Sequence, residues 1–276
     1  MAPTGPLHGL RVIETGGFST AFAGRLLAEA GADVVRVVDT EDPLATEAPF
    51  FGSTGHSIQE AWYNAGKRVI GTGVANGAGR GQFLSLLGSA DILLEDWTPG
   101  SWPLSHADVS SSGVRAHVSV TPMGQTGPRA TWKVPDLVAN ALSGSASVTG
   151  NGDSGPISGY GNQTHHTVGL YAAICALAGH RAARATRQYQ HIDLSAHEAL
   201  VSCTEQVLME WFFPNGTWNT PIAPRQGSLH WSGAYEVYPG ADGHGVMVTA
   251  ALKFVDVLLP WLIEDGAAQD LGDSQK

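Results

Sequence analysis

The sequence predicts an α/β protein built on a Rossmann-like, doubly wound parallel sheet. Three observations carry that prediction. Short β-branched runs alternate with segments of helical apolar spacing from residue 10 to residue 120. The first strand, helix and strand fit within about thirty residues, the size of a βαβ unit with a right-handed crossover. Glycine is abundant, 35 of 276 residues, which suits a fold with many tight turns.

The elements follow in order. "LRVIE" (10–14) is a strand, "TGGFST" (15–20) a turn, and "AFAGRLLAEAG" (21–31) a helix closed by Gly31 as its C′ residue. "ADVVRVV" (32–38) is a second buried strand. "KRVIGTG" (67–73) is a strand, "AGRGQFLSLLGSA" (78–90) a helix, and "DILLED" (91–96) and "RAHVSV" (115–120) two more strands. From residue 135 the texture changes. "PDLVANALSGSASV" is a helix with small residues, and "TGNGDSGPISGYGNQT" (149–164) is a long loop of the length that usually carries function. "HHTVGLYAAICALAGHRAARA" (165–185) is a strong helix that Thr164 is placed to cap, and "QHIDLS" (190–195) a strand. "AHEALVSCTEQVLMEWFF" (196–213) is a long helix with Ser195 and Glu198 in capping-box spacing. "GAYEVYPGADGHGVMVTA" (233–250) is a hairpin turning near "GADGHG". "LKFVDVLLPWLIEDG" (252–266) is a helix interrupted at Pro260, and the tail is polar.

Composition bounds the partners. Apolar residues make up 43% of the chain, enough for a substantial core, and the formal net charge is −10. That balance argues against nucleic acid or an anionic membrane as a partner. Cys175 and Cys203 both lie in apolar helical patterns and read as buried small side chains. The start "MAPTGPLHGL" has no signal-peptide pattern, and no apolar run is long enough to span a bilayer, so a cytoplasmic protein is expected. The sequons at Asn162 and Asn215 then read as chance matches. The glycines after the first strand, Gly16, Gly17 and then Gly24, do not make Gly-x-Gly-x-x-Gly. A dinucleotide site is therefore not expected, although Asp39 closes the second strand.

Several segments taken in order are more specific than any one alone. "PLHGLRVIETGGFSTAFAGRLLAEAGADVVRV", "WYNAGKRVI", "ADILLEDWTPG", "VSVTPMGQTGP", "GLYAAICALAGHRAARATRQYQHIDLSAHEAL" and "YEVYPGADGHGVMVTA" resemble, in that order, the class III CoA-transferases. This is the family of formyl-CoA transferase, carnitine CoA-transferase and bile-acid-inducible CoA-transferase. The resemblance runs over roughly residues 6–265. It implies a Rossmann-like, CoA-binding large domain over residues 1–200. A connecting helix and the start of a smaller α/β domain follow over residues 201–276. It also implies an interlocked dimer, either of like chains or with a paralogous subunit. Coenzyme A is expected as part of an acyl-CoA substrate and not as a resident cofactor, with a small carboxylic acid as acceptor.

The resemblance also implies a mechanism and a set of positions. In the family an aspartate attacks the donor thioester and carries CoA as an aspartyl thioester, which is covalent catalysis by a carboxylate. That aspartate stands four residues before the glycine of a Gly-x-x-x-Ala helix. The glycine is Gly169 here, so the position falls on His165. Imidazole has no carboxyl carbon and cannot carry CoA in that way. Positions 161–168 hold no Asp or Glu, and the nearest aspartate upstream is Asp153. Phe18 and Ser19 in the first turn, Asp96 and Trp97 in "DWTPG", and Lys133 in "WKVPD" match positions expected near CoA. Other positions depart from the pattern: Leu104 and Ala75 stand where basic residues are usual. The His of the related α-methylacyl-CoA racemase falls near Pro135. Family members continue for about a hundred further residues, so the small domain is expected to be incomplete here.

The histidines have their own readings. His165 and His166 are neighbours on a helix, about 100° apart, and one ion needs three or four converging ligands, so no metal site is expected. His56, His117 and His230 are scattered. Asp136 reads as serving local structure. Trp97, Trp132 and Trp231 are candidates to line a ligand cleft. Three functions stay open: CoA transfer between an acyl-CoA and a carboxylic acid, a catalytically silent subunit of a heteromeric CoA-transferase, and an acyl-CoA isomerase or lyase that uses His165 as its base.

Overall fold

Six short strands pair in parallel in the order β3-β2-β1-β4-β5-β6. They are β1 (Arg11–Glu14), β2 (Asp33–Val38), β3 (Arg68–Gly71), β4 (Ile92–Glu95), β5 (Ala116–Thr121) and β6 (Gln190–Ser195). The computed structural model of the protein describes residues 5–39, 42–72, 79–151, 153–204, 212, 235–249, 255–267 and 269. Strands β1, β4 and β5 are buried along nearly their whole length, as parallel strands covered on both faces must be.

Alternate strand residues feed two cores. On one face Val12, Val34, Leu94 and Val118 meet helices α1 (Phe18–Glu29) and α6 (Gln163–Thr186). On the other face Ile13, Val35 and Leu93 meet α3 (Arg80–Leu87) and α4 (His106–Ser111). The remaining helices of this unit are α2 (Ile58–Tyr63), α5 (Asp136–Leu142) and α7 (Ala196–Val201). The doubly wound class read from the sequence is thus the observed one.

Local signals account for most ends. α1 closes on Gly31 at φ 100°, with the Gly31 and Ala32 N–H groups donating to Ala28 and Leu27 carbonyls, a Schellman arrangement. Ser195 caps α7 by accepting from the Glu198 N–H. α4 and α2 were not apparent as helices from apolar spacing, since each is only six residues long. Ser105 and Asp108 form a full capping box for α4.

The chain divides into two compact units, residues 1–145 with 159–204, and residues 146–158 with 205–276. In the second unit β7 (Tyr235–Pro239) and β8 (Gly245–Thr249) form the expected antiparallel hairpin. Its turn is closed by the Gly240 N–H donating to the His244 carbonyl. Helix α8 (Val255–Glu264) runs through Pro260, where an interruption was expected. A proline removes one backbone donor and crowds one carbonyl, which kinks a helix without always ending it. The helix read over 196–213 is observed as α7 and a short 3₁₀ turn, Ser202–Thr204, and its continuation lies outside the described residues. Cys175 is half-buried against the core, but Cys203 is exposed, contrary to the buried expectation. Among the described residues no helix is long and apolar enough to cross a membrane.

One buried group of charges ties β1, β2, β3 and α1 together. Glu14 accepts from Arg36 at 2.5 Å and from Lys67 at 2.7 Å, and none of the three side chains reaches solvent. Arg36 also reaches Asp42 at 2.6 Å and donates to the Gly16 carbonyl at 2.7 Å. Lys67 donates to the Ala21 carbonyl at 2.7 Å, and Asn64 donates to Asp42 at 2.9 Å. Burial opposes charge on Arg36, but the Asp42 and Glu14 carboxylates hold its pKa above the ordinary value. Glu14→Ala leaves two buried cations without their shared carboxylate. We expect a loss of about 3–5 kcal/mol, the range for breaking a buried pair, measured by urea unfolding. A loss below about 1 kcal/mol, the level of an exposed pair, would contradict this role.

Candidate active site

A cavity of about 240 Å³ opens at the carboxyl ends of β4 and β5, beside the starts of α1 and α6. It lies next to the point where β1 and β4 are neighbours and the winding reverses, the usual ligand position in doubly wound sheets. The glycine pair after β1 shapes one wall. Gly16 has φ +124°, and a Cβ there would stand 2.0 Å from Asp96 Oδ1. Gly17 donates its N–H to Asp96 Oδ2 at 2.6 Å. α1 then begins at Phe18, three residues earlier than apolar spacing indicated, so Phe18, Ser19 and Thr20 form its first turn and not a free turn. Their N–H groups have no carbonyl one turn back inside the helix.

Asp96 is held by its neighbour. Glu95 is fully enclosed, accepts the Trp97 N–H at 2.8 Å and bonds His117 Nε2 at 3.1 Å. These two bonds fix the bend that carries Asp96 and Trp97. Burial pushes the Asp96 carboxyl up to about 7, against the Gly17 N–H, which favours the ionised form, and with a further push from Glu95. Asp96 also lines a second cavity of about 340 Å³, shared with Trp97, Gly16 and Asp39. The first and second cavities therefore meet at this carboxyl.

The two adjacent histidines part company. α6 starts at Gln163 with Asn162 in the cap position, two residues earlier than the Thr164 cap read from the sequence. The Asn162 side chain makes no cap bond and donates instead to Gln59 at 2.9 Å and Tyr63 at 3.1 Å. His165 enters the cavity, with Nδ1 3.0 Å from Ser19 Oγ and its ring 5.3 Å from that of Phe18. His166 turns into an aromatic group: its Nε2 lies 2.8 Å from Tyr63 Oη and its ring 4.4 Å from Phe22. Burial lowers the pKa of both, opposed by the charge of Asp136. His165 therefore stands as a neutral imidazole at neutral pH.

Of the residues read as CoA contacts, Phe18, Ser19 and Asp96 line the first cavity, and Asp96 and Trp97 the second. Lys133 is exposed and lines neither; its neighbour Val134 takes the place on the wall. Trp132 is exposed with Arg129 over its ring, so it forms no part of these cavities. His56 is exposed and His117 is buried beneath the strand ends. Leu104 is packed in the second core. Ala75, His230, Trp231 and Asn215 lie outside the described residues.

Three wall residues escaped the sequence reading. Asp136 opens α5 and lines the cavity, where it was read as local structure; Thr121 and Thr164 line it too. Thr121 is 1% and Thr164 4% exposed. Among the described residues Thr121 Oγ1, Thr164 Oγ1 and Asp136 Oδ1 are buried with no hydrogen-bond partner. Buried polar atoms are nearly always paired, so an orphaned set around one cavity marks places for ligand or water. The usable signal was position: Thr121 ends a core strand, and Thr164 and Asp136 sit in first helical turns.

Comparisons with known proteins agree on one family. The model of CoA-transferase family III matches residues 7–275. A subunit of the succinyl-CoA:(R)-benzylsuccinate CoA-transferase of Thauera aromatica is 29% identical over 270 residues, 94% of this chain and 64% of that protein. The succinate–glutarate CoA-transferase of Agrobacterium fabrum is 30% identical over 251 residues, 86% of this chain and 62% of that protein. The chain thus spans a little under two thirds of the length of these relatives. A crystal structure of a CAIB/BAIF family protein from Brucella suis superposes with a TM-score of 0.82 at 23% identity, over 98% of this chain and 72% of that one. That likeness shows a shared fold.

The Asp96 environment has a pH consequence. Its folded pKa, about 7, lies above the ordinary 3.8. The folded state therefore holds its proton more tightly, and the stability this brings is lost as pH rises from about 4 through 7. Asp96→Asn can keep the acceptor for the Gly17 N–H and does not titrate. Relative to Asp96→Asn, the wild type should lose stability across that window, read from urea midpoints at successive pH values. A pH-independent difference would show an ordinary carboxyl.

Proposed function

Because the chain belongs to CoA-transferase family III, we propose that it takes part in moving CoA between an acyl-CoA and a small carboxylic acid. The observation that carries this reading is the 240 Å³ cavity at the sheet's switch point, lined by Phe18, Ser19 and Asp96 from the family's ordered segments. Its walls offer a neutral imidazole, two helix starts and orphaned hydroxyls. Helix starts favour the partial negative charge that a thioester carbonyl gains under attack. The cavity of about 340 Å³ beside it, with Trp97 and Asp39, offers a second surface for part of such a ligand.

His165 in the aspartate position supports a second reading, that of a subunit whose partner supplies the covalent carboxylate. Two relatives are named as subunits, the Thauera protein and the alpha subunit of the succinyl-CoA–L-malate CoA-transferase of Chloroflexus aurantiacus. In either reading the chain binds acyl-CoA, and this chain alone forms no aspartyl thioester at position 165.

Calorimetry with acetyl-CoA tests the shared premise. Binding tighter than about 1 mM, or roughly −4 kcal/mol, is expected; weaker binding would overturn it. Borohydride or hydroxylamine trapping followed by mass spectrometry then separates the readings. A carboxyl adduct on this chain would refute the subunit reading, while an adduct confined to a co-expressed paralogue would establish it.

A further inference from the structure

The close packing of α1 on α6 brings a hydroxyl and an imidazole together in the cavity, and neither is used by a carboxylate mechanism. Gly169 sets that packing. A Cβ at Gly169 would stand 2.7 Å from the Ser19 carbonyl oxygen and 2.9 Å from Phe22 Cδ1, so only glycine lets the two helices approach this closely. One turn earlier on α6, His165 presents Nδ1 to Ser19 Oγ at 3.0 Å. That is the contact a nucleophile and its general base require. Ser19 is 8% exposed and sits second in the twelve-residue helix α1.

We propose that Ser19 and His165 form a nucleophile–base dyad that hydrolyses short-chain acyl-CoA thioesters, so that the chain acts as a thioesterase. The inference rests on the reading that this cavity receives an acyl-CoA. Two independent observations aim a ligand at the dyad. The first is the cavity itself, whose 240 Å³ matches a short acyl group and not a long chain. The second is the set of buried, unpartnered hydroxyls of Thr121 and Thr164, which need polar atoms from a bound molecule.

The steps balance with water as the only co-reactant. Ser19 Oγ bonds to the thioester carbonyl carbon while its proton passes to His165 Nδ1. The oxyanion that forms lies at the start of α1, where the first-turn N–H groups are donors without intrahelical partners. The C–S bond then breaks, and CoA leaves as the thiol with the proton from His165. Water attacks acyl-Ser19, giving its proton to His165. The ester C–O bond breaks, the carboxylic acid leaves, and Ser19 recovers its hydroxyl proton. Asp136 and His166 are the ionisable groups whose charges bear on His165 during this cycle, the first favouring the imidazolium and the second opposing it.

The test uses the intact chain with acetyl-CoA, following thiol release, and palmitoyl-CoA as a substrate too large for the cavity. Acetyl-CoA hydrolysis is expected, with Ser19→Ala and His165→Gln each slower by at least ~100-fold, the low end for losing a positioned base. Circular dichroism should show both variants folded, and calorimetry should show acetyl-CoA still bound. A single acetyl group should be trapped on the peptide that contains Ser19. Acetyl-CoA that binds without hydrolysis, hydrolysis unaffected by Ser19→Ala, or palmitoyl-CoA turned over as fast as acetyl-CoA would each overturn the dyad while leaving acyl-CoA binding intact. Failure to bind acetyl-CoA at all would overturn both the dyad and the reading of the cavity.

Discussion

The fold around the cavity depends on Glu14 being buried and doubly paired. Its carboxylate ends β1, where the chain must leave the sheet and turn into α1. Taking a carboxylate and two cations out of water costs several kcal/mol per ion, and only close contacts on every side offset that. Here Arg36 spends its donors on Glu14, Asp42 and the Gly16 carbonyl. Lys67 divides its donors between Glu14 and the Ala21 carbonyl. Both cations therefore bond to backbone on either side of residues 17–20. The turn that presents Ser19 is pinned from below by charge, and its own Gly16 and Gly17 let it pass close to Asp96. The same constraint explains Gly24: a Cβ there would lie 1.6 Å from Glu14 Oε2.

A second constraint runs through the helices. α1 is squeezed between the charged group beneath it and α6 above it. Gly24 permits the first approach and Gly169 the second, and each lies on a face where a methyl group would displace backbone or a buried carboxylate. The position of His165 follows from Gly169, one helical turn away. The aromatic cluster of Phe22, Trp62 and Tyr63 holds His166 and so fixes the roll of α6 about its axis. Together these contacts leave the imidazole of His165 little choice of neighbour, which is why Ser19 and His165 meet across 146 residues of sequence.

The strands, the hairpin and the main crossover helices were legible because each rests on a local pattern: β-branched runs, a turn sequence, or apolar residues at helical spacing. The Ser195 cap and the Gly31 stop were legible for the same reason. What was not legible depended on distant partners. α1 begins at Phe18 because Gly17 is held by Asp96, 79 residues away. Thr164 gives up the cap because Asn162 is drawn to Gln59 and Tyr63. Lys133 was taken from a resemblance of position, but side-chain direction decides access, and it is Val134 that faces inward. The histidine pair looked like one feature in the sequence. In the fold it is two, since neighbours on a helix point to different surroundings.

An imidazole at position 165 gives the cavity electrostatics different from those a carboxylate would give there. A carboxylate in the first turn of α6 would draw on the positive end of the helix. The helix start does not favour a charged imidazole, and burial lowers the His165 pKa against the opposing charge of Asp136. Asp96 moves the opposite way and holds its proton to about pH 7. Burial thus shifts both groups toward their neutral forms, in opposite directions on the pH scale, because each is more costly to bury charged than neutral. A cavity so arranged has the first turns of α1 and α6 as its fixed sources of positive potential. That suits an uncharged polar group as the entering ligand, with the helix starts facing its oxygen. Below about pH 7 it also provides a protonated carboxyl, Asp96, that can donate to a ligand instead of repelling one.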